Sequence, residues 1–127
     1  MSKIGIIGAM DSEVKQLKAE MTSVRVVKKA GMDFHEGLLN GASAVVVRCG
    51  IGKVNAALCV QILADLFEVT HIINTGVAGS LNAGLDIGDI LISRDALHHD
   101  MDVRFLGFQL GEIPEMGFQE FQADERL

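Results

Sequence analysis

The sequence contains no tryptophan and no tyrosine, one proline and two cysteines in 127 residues. It has no excess of positive charge: 17 acidic against 11 basic side chains leave a formal charge of −6, and the acids are scattered rather than massed. A nucleic acid or an anionic membrane needs a basic face, so neither fits as a partner. No apolar run approaches the ~18 residues of a membrane span, and the apolar N-terminus is too short for a secretory signal. Cys49 and Cys59, in or beside apolar runs with no such signal, read as buried free thiols of a reducing compartment. The expected location is the cytoplasm. Repeats, linkers and low-complexity tracts are likewise absent.

Hydrophobic residues make up 49% of the chain, with 14 glycines, enough for one compact domain with a real core. Lys3–Ala9 (KIGIIGA) is the pattern of a strand buried on both faces. Asp11 or Ser12 can cap the helix that follows, with Val14, Leu17 and Met21 on its inner side. A strand is predicted at Val24–Val27. Two more, Phe34–Leu39 and Ser43–Arg48, flank Asn40-Gly41, the signature of a type I′ hairpin turn. A helix is predicted over Lys53–Phe67, with Val54, Ala57, Leu58, Ile62 and Leu66 as its buried stripe. Further strands are expected at His71–Thr75 and Asp89–Ser93. His98–Phe121 reads as a long loop with short extended pieces, and Ala123–Leu127 as the start of a helix. Strands feeding helices, with a hairpin inserted, make an α/β domain with a mixed sheet.

Two glycine-rich turns invite a nucleotide-phosphate reading and fail its stricter motifs. Gly5-Ile-Ile-Gly8 lacks the G-x-G-x-x-G spacing. Gly50-Ile51-Gly52-Lys53 lacks the upstream glycine of a P-loop and has Val54 in place of the magnesium-holding hydroxyl. Both can simply allow tight strand-to-helix turns. Ligands of open α/β sheets nonetheless bind at the carboxyl edge, where three turns should collect: Ala9–Glu13, Gly50–Lys53 and Gly76–Ser80. Their small or apolar residues, Met10, Ile51, Val77 and Ala78 among them, suit a flat heterocyclic base better than a triphosphate. Glu13 has two readings. An acid in the first turn of a helix is favoured by the helix dipole alone; at the mouth of a cleft it could also take a proton from water. His98-His99-Asp100-x-Asp102 could suggest a metal, but His98 and His99 would point opposite ways in an extended segment and no further ligand cluster is evident. Groups tying down a loop or an interface are the better account, and neither metal nor cofactor is expected.

The stretches KIGIIGAMDSEV, GIGKVNAAL, INTGVAGSL, GDILIS and HDMDV…LGF…GEIP occur together in an order and spacing that resembles the bacterial 5′-methylthioadenosine/S-adenosylhomocysteine nucleosidases of the nucleoside phosphorylase superfamily. The resemblance runs from Lys3 to about Pro114. It implies a three-layer α/β/α fold with a central mixed sheet, of which residues 1–127 would be the N-terminal portion of a single, incomplete domain. It implies hydrolysis of the N-glycosidic bond of 5′-thio-substituted adenosines, releasing adenine. Glu13 then matches the carboxylate that activates water. Met10, Ile51, Val77, Ala78 and Gly79 match positions lining the ribose and base. Val103, Leu106, Phe108 and Pro114 match a loop that reaches the neighbouring subunit's site, which implies a homodimer.

Charge bears on the nucleophile. A phosphorylase wants an arginine where phosphate sits, and its relatives commonly place one just after the first strand. Met10–Val14 offers two acids and no base, which suits water. Val77 stands where many of these nucleosidases carry serine, and Leu106 and Phe108 replace more aromatic and hydroxylated residues, so an aminodeoxyfutalosine hydrolase of the same family is the alternative. Family members are much longer, and the purine-protonating aspartate would lie in the part not matched. The chain alone is therefore expected to be inactive, and a non-catalytic nucleoside-binding remnant is the non-enzyme reading.

Overall fold

A computed structural model describes residues 2–126. They form two compact units, one ending at Gly79 and the other beginning at Ser80. The first contains β1 (Ile4–Gly8), α1 (Asp11–Glu20), β2 (Thr22–Lys29), β3 (Met32–Leu39), β4 (Ala42–Arg48), α2 (Lys53–Phe67) and β5 (His71–Asn74). The sheet order is β2-β3-β4-β1-β5. β1 runs parallel to β4 on one side and to β5 on the other, while β2, β3 and β4 form an antiparallel meander. The mixed sheet is thus as expected from the sequence.

The period of two along β1 and β4 separates the layers. Ile6 and Val46, paired across the strands, pack with Val14 and Met21 of the α1 layer. Ile7, Val45 and Val47 turn to the other face and join Cys59, Leu63 and Phe67 of α2. The Phe34 and Phe67 rings stack there, centroids 5.0 Å apart. β1 can be buried on both faces because it carries no polar side chain. Two of its positions need glycine for lack of space. A Cβ on Gly5 would come within 2.8 Å of the Ile72 side chain, and one on Gly8 within 2.7 Å of Val14. Neither lies in the left-handed region, so close packing is their reason.

Asn40 (φ 48°) and Gly41 (φ 82°) make the expected turn with positive φ at both central residues. A second turn of this kind, Ala30 (φ 48°) and Gly31 (φ 76°), joins β2 to β3; alanine in the first position hid it. Four other expectations are corrected. α1 begins at Asp11 itself, with Met10 in the cap position, so neither Asp11 nor Ser12 is the cap. α2 has the predicted ends, but its inner stripe is Cys59, Leu63 and Phe67, supported by Ala56, Val60 and Ile62. Val54 (82% exposed), Ala57, Leu58 and Leu66 face outward. Apolar residues occur all round this helix, so periodicity could not choose its face.

In the second unit, Asp89–Ser93 is not a strand. Ile90, Leu91 and Ile92 are exposed, and the run has no neighbouring strand among the described residues with which to form a ladder. The strand is β6 (Asp95–Leu97), paired antiparallel with β7 (Glu120–Gln122). Between them runs the expected long loop, with one 3₁₀ turn at Arg104–Leu106. Residues 123–126 do not start a helix. The Ala123 N–H donates to the Arg94 carbonyl, and the Asp124 carboxylate accepts from the Arg126 backbone and guanidinium. Leu127 lies outside the described residues.

Candidate functional site

The three strands β4, β1 and β5 lie side by side and end together. Backbone hydrogen bonds carry the ladder past their last residues: the Cys49 N–H donates to the Gly8 carbonyl and the Thr75 N–H to the Ile7 carbonyl, both at 2.9 Å. The exits at Ala9–Met10, Gly50–Gly52 and Gly76–Gly79 are therefore held beside one another at the carboxyl edge. Gly50 (φ 89°) and Gly52 (φ 100°) supply left-handed backbone for the turn into α2. The Asn55 amide closes that turn by donating to the Ile51 carbonyl at 2.7 Å.

Glu13 stands at the centre of this edge, in the first turn of α1. Its Oε2 accepts the Met10 N–H at 2.8 Å and its Oε1 accepts the Val77 N–H at 3.2 Å. The first bond is that of a residue three places into a helix reaching back to its cap. The second crosses from α1 to the exit of β5 and has no part in capping. These amides hold the carboxyl below the usual carboxylate value of 4.5, Met10 contributing most, then Val77, with partial burial opposing them. Glu13 is only partly buried, so lone pairs remain for a water or a hydroxyl.

Two glycines shape the space around this side chain. A Cβ on Gly76 would stand 2.8 Å from Glu13 Oε1, and the two next nearest atoms also belong to the Glu13 carboxyl. A Cβ on Gly8 would lie 3.1 Å from the Glu13 Cβ. The sequence showed these glycines without showing that they meet at one side chain. A glycine directly after an apolar strand was the only available signal.

The other candidates are placed as follows. Met10 is 37% exposed, Ile51 75% and Val77 81%; Ala78 and Gly79 are exposed. Val77 meets Glu13 through its backbone, so a valine side chain in place of serine leaves that bond intact. Val103, Phe108 and Pro114 are half-buried and Leu106 is exposed, all in the second unit. There the Asp102 carboxylate is forked by Arg104 at 2.8 and 2.7 Å, which brings its pKa to about 2. The His98 ring lies edge-on to Phe121. The first contact is local, between residues two apart, while the second joins the two ends of the loop. Cys49 and Cys59 are both buried and free, and desolvation pushes the Cys59 thiol up to about 12. A polar hollow of about 250 Å³, lined by Asp11, Lys18, Gly31, Met32, Asp33 and Arg48, lies elsewhere in the first unit, and Glu13 is not in its wall.

The first unit is a three-layer α/β fold whose parallel strands bring one carboxylate to their carboxyl edge, the edge at which open α/β sheets hold ligands. The family model of the phosphorylase superfamily matches residues 3–127, and the chain belongs to that superfamily. It is similar to the 5′-methylthioadenosine/S-adenosylhomocysteine nucleosidases of Colwellia psychrerythraea (46% identical over 112 residues, 88% of this chain and 46% of that protein) and of a Marinomonas species (46% over 127 residues, 100% and 54%). Among solved structures, the C. psychrerythraea nucleosidase in complex with adenine superposes with a TM-score of 0.94 at 42% identity, over 98% of this chain and 51% of that one. The futalosine hydrolase of Helicobacter pylori gives 0.90 at 31% identity, over 98% and 54%. The chain spans about half the length of the curated relatives it matches.

Proposed function

We propose that the protein hydrolyses the N-glycosidic bond of 5′-methylthioadenosine and S-adenosylhomocysteine, releasing adenine, and that Glu13 is the catalytic carboxylate. The observation that carries this reading is the double amide clamp on Glu13. A base that orients and deprotonates an attacking water must be ionised, aimed and within reach of solvent, and the clamp supplies the first two without closing off the third. Its negative charge disfavours phosphate as the nucleophile and leaves water. Met10, Ile51, Val77, Ala78 and Gly79 would line the sugar and base at the same edge. Val103, Leu106, Phe108 and Pro114 would serve the site of a second copy in a homodimer. The exposed apolar side chains of Ile51, Val54 and Leu58 favour such a partner, and the cytoplasm is the expected setting.

Adenine is a poor leaving group as an anion, so cleavage also needs an acid on the purine. By resemblance that acid lies in the part of the relatives that residues 1–127 do not span. In this reading residues 1–127 are the N-terminal portion of a single domain and turn over little by themselves. The likeness to the futalosine hydrolase, together with Leu106 and Phe108 on the covering loop, favours aminodeoxyfutalosine as the second candidate substrate. The deciding experiment is adenine release by the intact protein from each of the three nucleosides, with and without phosphate. Release independent of phosphate supports hydrolysis, strict dependence on phosphate refutes it, and the ranking of the nucleosides assigns the 5′ substituent.

A further inference from the structure

Gly76 follows β5 by two residues and has no left-handed φ to explain it. Space explains it instead. The three atoms nearest to a Cβ built there are Oε1, Cδ and Oε2 of Glu13, at 2.8, 3.2 and 3.5 Å. No backbone atom and no core side chain stands in the way. Gly8 differs, since its Cβ would strike Val14, a fully buried residue of the α1 layer. Substituting Gly8 would disturb the packing of α1, whereas substituting Gly76 would displace only the far end of one flexible side chain.

That far end is the functional one. With Gly76 bare, Oε1 reaches the Val77 N–H at 3.2 Å, and this bond, after that to Met10, helps hold the carboxyl below its ordinary value. A methyl group at position 76 would push Oε1 out of this contact and leave Oε2 on Met10. The carboxylate would keep its capping role and lose its aim across the sheet edge.

We infer that Gly76 is a positioning residue for Glu13: by lacking a Cβ it lets the carboxylate bridge the exits of β1 and β5, and so sets the orientation of the group that acts on the nucleophile. This rests on the hydrolase reading for its consequence in catalysis, but not for its geometry.

The test is Gly76→Ala in the intact protein, read in two ways. Carboxyl titration of Glu13 by carbon NMR should move up towards the ordinary value once one amide bond is lost. Adenine release should fall in kcat by about tenfold or more with KM changed less than about threefold, because the interaction serves the reacting geometry rather than ground-state binding. In a Glu13→Ala background, adding Gly76→Ala should change the residual rate less than about twofold, since the Cβ then enters vacated space. If Gly76→Ala does not fold but the double variant does, Glu13 is the obstacle and the inference stands. An unmoved Glu13 titration overturns it, as does an equal loss in both backgrounds or the failure of both variants to fold. Should Glu13→Gln leave adenine release intact, the catalytic role of Glu13 falls, while the titration still decides what Gly76 does.

Discussion

One oxygen of Glu13 does what a glutamate in a first helical turn commonly does: Oε2 accepts the cap N–H of Met10. The other is spent on Val77, 64 residues away, and this contact separates a stabilising acid from an aimed one. Glu13→Gln keeps the shape and removes the negative charge. It is expected to lower kcat by about 10²–10⁴-fold, the usual range for loss of a general base, with ligand affinity little changed; steady-state kinetics and calorimetric titration with an adenosine analogue check both. The pH dependence has a definite sign. The folded-state pKa of Glu13 is depressed, so its stabilising contacts are complete above the ordinary carboxylate value of 4.5 and are lost as pH falls through the lower folded value. The loss of rate from protonating Glu13 in the free enzyme should therefore lie below pH 4.5 in kcat/KM, and a Glu13 limb at or above that value would contradict the clamp. The sequence made Glu13 visible as an acid at a helix start. It could not show the Val77 N–H, because a backbone donor has no residue-type signature.

Elements were legible where the sequence stated one pattern and obscure where it stated several. Asn40-Gly41 permits almost nothing but a tight hairpin turn, and it is one. Ala30-Gly31 makes an equivalent turn, yet alanine tolerates so many conformations that it announces none. The ends of α2 follow from Gly52 and the long apolar run, but its inner face does not. With apolar residues all round, only the sheet decides that Cys59, Leu63 and Phe67 turn inward. Ile90-Leu91-Ile92 has strand character, and a strand also needs a neighbour. Truncating Leu63, fully buried between α2 and the sheet, should cost about 3 kcal/mol, whereas Val54→Ala on the exposed face should change stability by less than about 0.5 kcal/mol. Urea denaturation of both variants tests this assignment of faces.

At the scale of the molecule, the family relationship and the three layers were readable because buried strands and glycine-rich exits are written in residue types. The proposed pairing of copies is a matter of surface. Ile51, Val54 and Leu58 are exposed apolar side chains at and just after the turn into α2, and the proposed dimer would cover them. The intact protein should sediment as a dimer, and Val54→Glu should shift it towards monomer while leaving its circular dichroism unchanged; a wild-type monomer at micromolar concentration would remove the dimer from the proposal. The strand order carries a further consequence, one of timing. β1 is the first strand in the chain, yet it sits between β4 and β5, so its partners lie some forty and seventy residues downstream. The β2-β3-β4 meander closes through two short turns, while docking β1 must first meet the entropy of a long loop. Pulse-labelled hydrogen exchange during refolding should find the amides of residues 32–48 protected before those of residues 4–8. Emerging from the ribosome, the strand that leads to Glu13 would then be made before both its partners and seated late.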